Sequence, residues 1–259
     1  AISRSTASVS HAAVEMAEDI IGSIAGKHVL VVGAGEMGEG VATALARGAF
    51  EFQGQKCSAA SRAYLPKSLW PEIKKLYVEQ VNSIKIGSPY DTSNFVNAVI
   101  DETAFDKISS FIDYCRAQAD AELITGGGYD KSTGYFIEPT VIETTDPKYT
   151  TMCEEIFGPV TSVTTFKTTE EALAIANDTL YGLGAGVWTR DAHELYQVPR
   201  AIEAGRVWVN CYHAYPAHAP FGGYKKSGFG RETHKMMLGH YRQTKNMLVS
   251  YDKKKLGFF

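Results

Sequence analysis

A short β-branched apolar run at 28–32 passes directly into Gly33-Ala34-Gly35-Glu36-Met37-Gly38 and then into helical spacing over 41–47. That order restricts the folds open to the chain. An uninterrupted apolar run of strand length reads as a strand buried on both faces, and a strand followed at once by a helix is the start of a parallel crossover. The pattern continues downstream. Strand-like runs fall at 63–65, 123–125, 136–142, 161–166, 184–189 and 207–210, and helical spacing falls at 69–84, 103–119 and 170–177. An amphipathic helix is expected over 8–21 as well. The alternation predicts an α/β fold with a mostly parallel sheet flanked by helices. The 259 residues suffice for one large domain of this kind or two small ones.

The glycine turn has its own chemistry. In strand, G-x-G-x-x-G, helix order, Gly33 makes the tight turn and Gly35 lets the backbone approach a pyrophosphate. Gly38 packs helix on strand, and the helix N-terminus favours the negative charge. The bland alternative is an ordinary βα turn. No acidic residue closes a second strand about 20 positions on, where the fingerprint expects one. A different alignment makes 57–60 that second strand, with Ser61 and Arg62 meeting an NADPH 2′-phosphate.

One helical reading breaks a local rule. Residues 191–204 are helical in spacing, yet Pro199 falls inside and removes a backbone bond. A kink or break is expected within 196–200.

Bulk properties exclude several function classes. A net charge of −3 gives no electrostatic case for nucleic acid or an anionic membrane surface. No run reaches the roughly 20 apolar residues of a membrane span. Cys57, Cys115, Cys153 and Cys211 lie far apart without a C-x-x-C pair, which fits a reducing, cytoplasmic setting. The spacing of Cys211, His213 and His218 matches no zinc pattern, so no metal is expected.

Cys57 sits in Gly54-Gln55-Lys56-Cys57-Ser58-Ala59-Ala60-Ser61-Arg62, a small polar loop that leaves a thiol reachable. A lone free cysteine is ordinarily a small buried hydrophobe; the surrounding motif reverses that reading. Phe50-Glu51-Phe52-Gln53-Gly54-Gln55-Lys56-Cys57 resembles the nucleophile loop of aldehyde dehydrogenases. Gly134 to Thr140, Glu154-Glu155-Ile156-Phe157-Gly158-Pro159-Val160, Pro220 to Lys225 and Ser227 to Glu232 are similar to further blocks of that family. Residues 49–155 are closest to the pyrroline-5-carboxylate dehydrogenase branch. Residues 156–259 resemble acetaldehyde dehydrogenases, through Val207-Trp208-Val209-Asn210-Cys211-Tyr212-His213-Ala214-Tyr215 and the C-terminal end. Residues 1–47 resemble the NADPH-binding part of glutamyl-tRNA reductase, through Ser8 to Ala17 and Gly26 to Glu39. The chain thus reads as a mosaic joined near residues 48 and 155. Its expected divisions are a Rossmann-like fragment at 1–48, a catalytic domain at 49–243, and an oligomerisation strand and tail at 244–259.

The resemblance implies oxidation of a small aldehyde to a carboxylate, with NAD or NADP taking the hydride. Cys57 would be the nucleophile, through a thiohemiacetal and a thioester. By the same resemblance Glu155 holds the nicotinamide ribose, Phe157 packs on the nicotinamide, and His213, Tyr215 and Phe221 line the aldehyde pocket. The glycines at 33, 35 and 38 remain a second dinucleotide candidate. The family's own coenzyme domain, with its glutamate base and oxyanion asparagine, has no motif in 1–48, so weakened catalysis is expected. The 246–251 strand implies a homo-oligomer. Alternative readings are an NADPH-binding fragment centred on the glycines, and a fusion or remnant without catalysis.

Overall fold

The computed structural model describes residues 28–31, 38–254 and Gly257. The expected helix at 8–21, with Gly33 and Gly35, lies outside the described residues. Within them the strands are β1 (His28–Val31), β2 (Arg62–Pro66), β3 (Ala121–Thr125), β4 (Tyr129–Asp130), β5 (Phe136–Ile137), β6 (Thr140–Thr144), β7 (Val160–Phe166), β8 (Tyr181–Gly182), β9 (Gly184–Trp188), β10 (Arg206–Val209) and β11 (Tyr224–Lys225). The α-helices are α1 (Gly38–Phe50), α2 (Trp70–Ser83), α3 (Glu102–Ala117), the single turn α4 (Thr150–Cys153), α5 (Thr169–Asn177) and α6 (Glu194–Ala201).

Seven strands form one sheet in the order β10-β9-β1-β2-β7-β6-β3. All neighbours are parallel except β3 with β6. The expected α/β class holds. β1 falls in the segment the sequence sets apart at 1–48, and it pairs on both sides with strands from beyond it: Val29 is level with Ala63 of β2 and with Gly186 of β9.

Alternation along the strands divides the core between the two faces of the sheet. Ala63, Leu65, Val141 and Trp188 pack with Leu45 of α1 and Ile73 of α2. Their immediate neighbours Tyr64, Ile142 and Val187 pack with Ile108 of α3, Ala172 of α5 and Val198 of α6. Side-chain caps fix two of these helices: Asp101 accepts from the Ala104 N–H at 2.8 Å, and Thr168 accepts from the Glu171 N–H at 3.2 Å.

Three expectations are corrected. The run at 136–142 is two strands, because Pro139 has no N–H to give a ladder; β5 pairs with β4, while β6 joins the main sheet. The helix at 191–204 is shorter, and its break falls at Ile202 (φ −74°, ψ 126°), just past the expected window. Asp191 accepts from the His193 and Glu194 N–H groups at 2.8 and 2.9 Å and sets the start of α6 late. Pro199 then deprives only the carbonyl four residues back, that of Leu195, before the helix ends. Residues 246–251 form no strand: an edge strand needs a ladder partner, and the described residues provide none. Met247, Leu248, Val249 and Tyr251 are exposed there.

Candidate active site

The site begins where α1 ends. Phe52 (φ 54°, ψ 41°) and Gln53 (φ 59°, ψ 24°) are left-handed, and Gly54 follows at φ +62°. Each non-glycine residue in that region costs about 1–2 kcal/mol, so the surroundings must hold the turn. They do so through both glutamines. Gln53 Oε1 accepts from the Asn97 N–H at 3.1 Å, and Gln55 Oε1 accepts from the Ile100 N–H at 2.9 Å. Gly54 is pressed onto the 158 backbone, where an added Cβ would lie 2.2 Å from the Gly158 carbonyl oxygen. The strained turn raises the following loop, and Cys57 is exposed at its tip.

A second segment meets this loop. After β10 the chain turns at Asn210 (φ 53°), where Asn210 and Thr189 exchange hydrogen bonds of 2.9 Å. It then folds back over the sheet. Arg206, buried at the start of β10, donates to the carbonyls of Ala214, Ala219 and Pro220 at 2.9–3.1 Å. Trp208 Nε1 donates to the Ala214 carbonyl at 2.8 Å. Tyr212 lies on α1 because residue 48 is glycine; a Cβ there would be 2.7 Å from the Tyr212 ring.

The returning segment grips the thiol loop. Tyr215 Oη lies 3.2 Å from Ser58 Oγ, and Ser58 Oγ lies 3.6 Å from Cys57 Sγ. The Tyr215 ring packs edge-on against Phe221, with centroids 5.1 Å apart. Cys57 and Phe221 share a cavity of about 540 Å³ with Gly222, Arg231, Met237 and Tyr241. The structure therefore brings Cys57, Tyr215 and Phe221 together.

His213 goes elsewhere. Its ring is buried at 3% exposure, 4.1 Å from that of Tyr212, with Nδ1 3.1 Å from Glu51 Oε2. It is not on the wall of the Cys57 cavity. Glu51 also accepts from Lys56 Nζ at 3.0 Å and lies 3.8 Å from Arg47 Nε. Burial alone would raise the Glu51 pKa, but hydrogen bonds from His213 and Lys56, with the Lys56 charge, hold it down at about 2. Burial lowers the His213 pKa, and Glu51 restores only part of it. At neutral pH a neutral imidazole therefore donates Nδ1–H to an ionised carboxylate.

Glu51 was legible only as an acidic residue inside the apolar run Ala49-Phe50-Glu51-Phe52, a charge where burial is the rule. Ser58 carried no signal beyond its place beside the cysteine. The alternative alignment fails at Arg62. Residues 57–60 are loop, and Arg62 is buried in β2, donating to Thr179 Oγ1 at 3.0 Å and the Cys153 carbonyl at 3.2 Å. Arg62 is only 3% exposed.

Glu155 and Phe157 lie between α4 and β7. Glu155 is half-buried, and its carbonyl accepts from Lys107 Nζ at 2.7 Å. Phe157 is exposed at φ 60°, next to the Gly158 that touches Gly54. This loop thus adjoins the thiol loop. Gly38 does not. It opens α1 and is buried against α2, where an added Cβ would sit 3.7 Å from Glu72 and Leu76. Cys57 follows the other end of α1, and 13 residues of helix span about 20 Å. Among the described residues no group of three or more His, Cys, Asp or Glu is placed to hold a metal ion. No helix among them is long and apolar enough to cross a membrane.

Comparison with known proteins places these features. The model of the aldehyde dehydrogenase family matches residues 4–247, and so takes in most of residues 1–47 as well. An aldehyde dehydrogenase of Paracoccus denitrificans is 54% identical over 212 residues, covering 80% of this chain and 41% of that protein. An acetaldehyde dehydrogenase of Pseudomonas aeruginosa is 53% identical over 216 residues, covering 82% and 42%. A betaine aldehyde dehydrogenase of Staphylococcus aureus, solved in complex with NAD+, superposes with a TM-score of 0.83 at 32% identity, over 90% of this chain and 47% of that one. The chain spans about two fifths of the length of the curated relatives it matches.

Proposed function

Because the chain belongs to the aldehyde dehydrogenase family, we propose that it oxidises a small aldehyde to the carboxylate with Cys57 as the nucleophile. The observation that carries this reading is an exposed thiol at the tip of a strained, anchored loop, opening on the cavity that holds Phe221. In this mechanism Sγ adds to the carbonyl carbon and the carbonyl oxygen becomes an oxyanion. Loss of hydride leaves a thioester on Sγ, and water hydrolyses it to the acid and the free thiol. Bound NAD or NADP supplies the hydride acceptor. The residues beside the thiol suit its nicotinamide end: a half-buried carboxylate, Glu155, for ribose hydroxyls and an exposed aromatic face, Phe157. Tyr215 and Phe221 shape the aldehyde side, and His213 acts on it only through Glu51 and the thiol loop.

The finer readings belong to this proposal. A pyrophosphate-binding role for Gly33, Gly35 and Gly38 rests on their motif. The mosaic of 1–47, 49–155 and 156–259 rests on sequence resemblance alone, and β1 pairs with β2 and β9 across the proposed division near 48. Self-association through 244–259 is supported by the exposed apolar side chains at 247–249 and 251. The free cysteines suit a reducing cytoplasm.

The test uses an activated ester and needs no coenzyme. p-Nitrophenyl acetate should acetylate Cys57, expelling p-nitrophenolate, and the adduct is located by peptide mass. Aldehyde-dependent reduction of NAD or NADP is followed alongside. Both signals should vanish in Cys57→Ala. Equal acetylation or turnover in that variant refutes the assignment.

A further inference from the structure

Ser58, next to the thiol, has no part in the chemistry above. It is buried at 1% exposure, yet its hydroxyl lies within 3.6 Å of Cys57 Sγ and 3.2 Å of Tyr215 Oη. Its carbonyl accepts from Tyr212 Oη at 3.5 Å. A hydroxyl held this way has few directions left. Tyr215 is held too: its ring meets those of Trp208 and Phe221 edge-on at 5.3 and 5.1 Å, and the Arg206 guanidinium lies 5.5 Å from its centroid. Burial raises the Tyr215 pKa, so the phenol keeps its proton.

The polarity of the chain follows from the sulfur. A hydroxyl facing a thiolate lowers the energy only by donating to it. If Ser58 gave its one proton to Tyr215, lone pairs would face the anion. If Tyr215 donates to Ser58 Oγ, the Ser58 proton is free for Sγ, and each bond polarises the next. We propose that Tyr215 and Ser58 form an ordered donor relay, Tyr215 Oη–H to Ser58 Oγ and Ser58 Oγ–H to Cys57 Sγ, that steadies and aims the attacking thiolate. Ser58 touches the reacting atom. Tyr215 acts through Ser58 and is a positioning residue, a role distinct from lining the aldehyde pocket. The relay rests on the reading of Cys57 as nucleophile.

The experiment is alkylation of the intact chain by iodoacetamide from pH 5 to 10, with each labelled cysteine located by peptide mass. Cys57 should react fastest of the four. In Ser58→Ala its rate at pH 7 should fall about tenfold, and in Tyr215→Phe, which keeps the ring packing, about threefold. The rate–pH profiles should move to higher pH and meet the wild-type plateau at the alkaline end. A purely structural effect would lower that plateau instead. The double variant should match Ser58→Ala alone, because Tyr215 acts through Ser58, and Ser58→Thr should restore the rate. Unchanged profiles in Tyr215→Phe, or additive losses in the double variant, overturn the relay while a fast Cys57 keeps the nucleophile reading. A wild-type Cys57 no faster than Cys153 and Cys211 removes that reading itself.

Discussion

Glu51 lends itself to a quantitative test because its carboxylate ties together three parts of the site. It receives Lys56 beside the nucleophile, His213 from the returning segment and Arg47 from α1, while only 9% exposed. Its folded pKa of about 2 lies below the ordinary 4.5. At 1.36 kcal/mol per unit, that difference corresponds to an upper bound of about 3 kcal/mol. The sign is fixed by the direction. With the folded value depressed, the stabilisation is complete above pH 4.5 and is lost as pH falls from there towards 2. His213 acts in an earlier window. Its folded pKa is also lowered, so the unfolded chain binds that proton first and stability begins to fall as pH drops through 6.5. The assay is urea unfolding followed by tryptophan fluorescence, since Trp70, Trp188 and Trp208 are all buried. Glu51→Gln should lose about 3 kcal/mol at pH 7, because a neutral amide leaves Lys56 without its counter-charge. The difference between wild type and variant should shrink towards pH 2.5, with the urea m-value unchanged. A variant within about 0.5 kcal/mol of wild type at pH 7, or a difference that does not narrow with acid, refutes the argument.

The remaining predictions concern the scaffold of the same site. Gly54→Ala meets both a left-handed backbone and the Gly158 carbonyl oxygen 2.2 Å from the new Cβ; it should cost at least about 3 kcal/mol by urea midpoint, and a loss under about 1 kcal/mol would show that the loop shifts freely. Arg206→Lys replaces a fork that serves the Ala214, Ala219 and Pro220 carbonyls with a single ammonium. It should destabilise by about 2 kcal/mol and slow Cys57 alkylation as the returning segment loosens; wild-type values for both would show that the fork is not needed.

The parts of the fold legible in the sequence were those set by local periodicity. The run at 28–32 and the helical spacing after Gly38 gave β1 and α1, because burial of a parallel strand and the apolar stripe of its helix are written in adjacent residues. Pro139 was equally visible, but its consequence, two strands in two different sheets, depends on pairing partners distant in sequence. Pro199 shows the same limit from the other side: its penalty was foreseen, while the start of α6 was set by the Asp191 side chain. At the site, Cys57, Tyr215 and Phe221 came from long motifs. His213 shares the motif of Tyr215 yet faces Glu51, because the left-handed turn at His213 (φ 63°) sends the two side chains to different neighbours. Glu51 and Ser58 take their importance from contacts more than 150 positions away, which no spacing rule reports.

The two ends of α1 bear on the two proposed dinucleotide sites. In a parallel sheet each helix returns the chain from the carboxyl edge to the amino edge. Gly38 opens α1, and the thiol loop that precedes β2 follows the other end of that helix, at the amino edge. The segment after β10 also leaves from the carboxyl edge, yet it reaches the thiol because Asn210 turns it and Arg206, at the amino end of β10, draws Ala214, Ala219 and Pro220 back. Gly38 is instead buried against α2, beside Glu72 and Leu76. The coenzyme site proposed for Cys57 is therefore the Glu155–Phe157 loop, which Gly54 touches through Gly158. Gly35→Val should accordingly leave aldehyde-dependent reduction of NAD or NADP unchanged, and a loss of that reduction in a variant with unaltered urea midpoint and unaltered Cys57 acetylation would reverse that assignment.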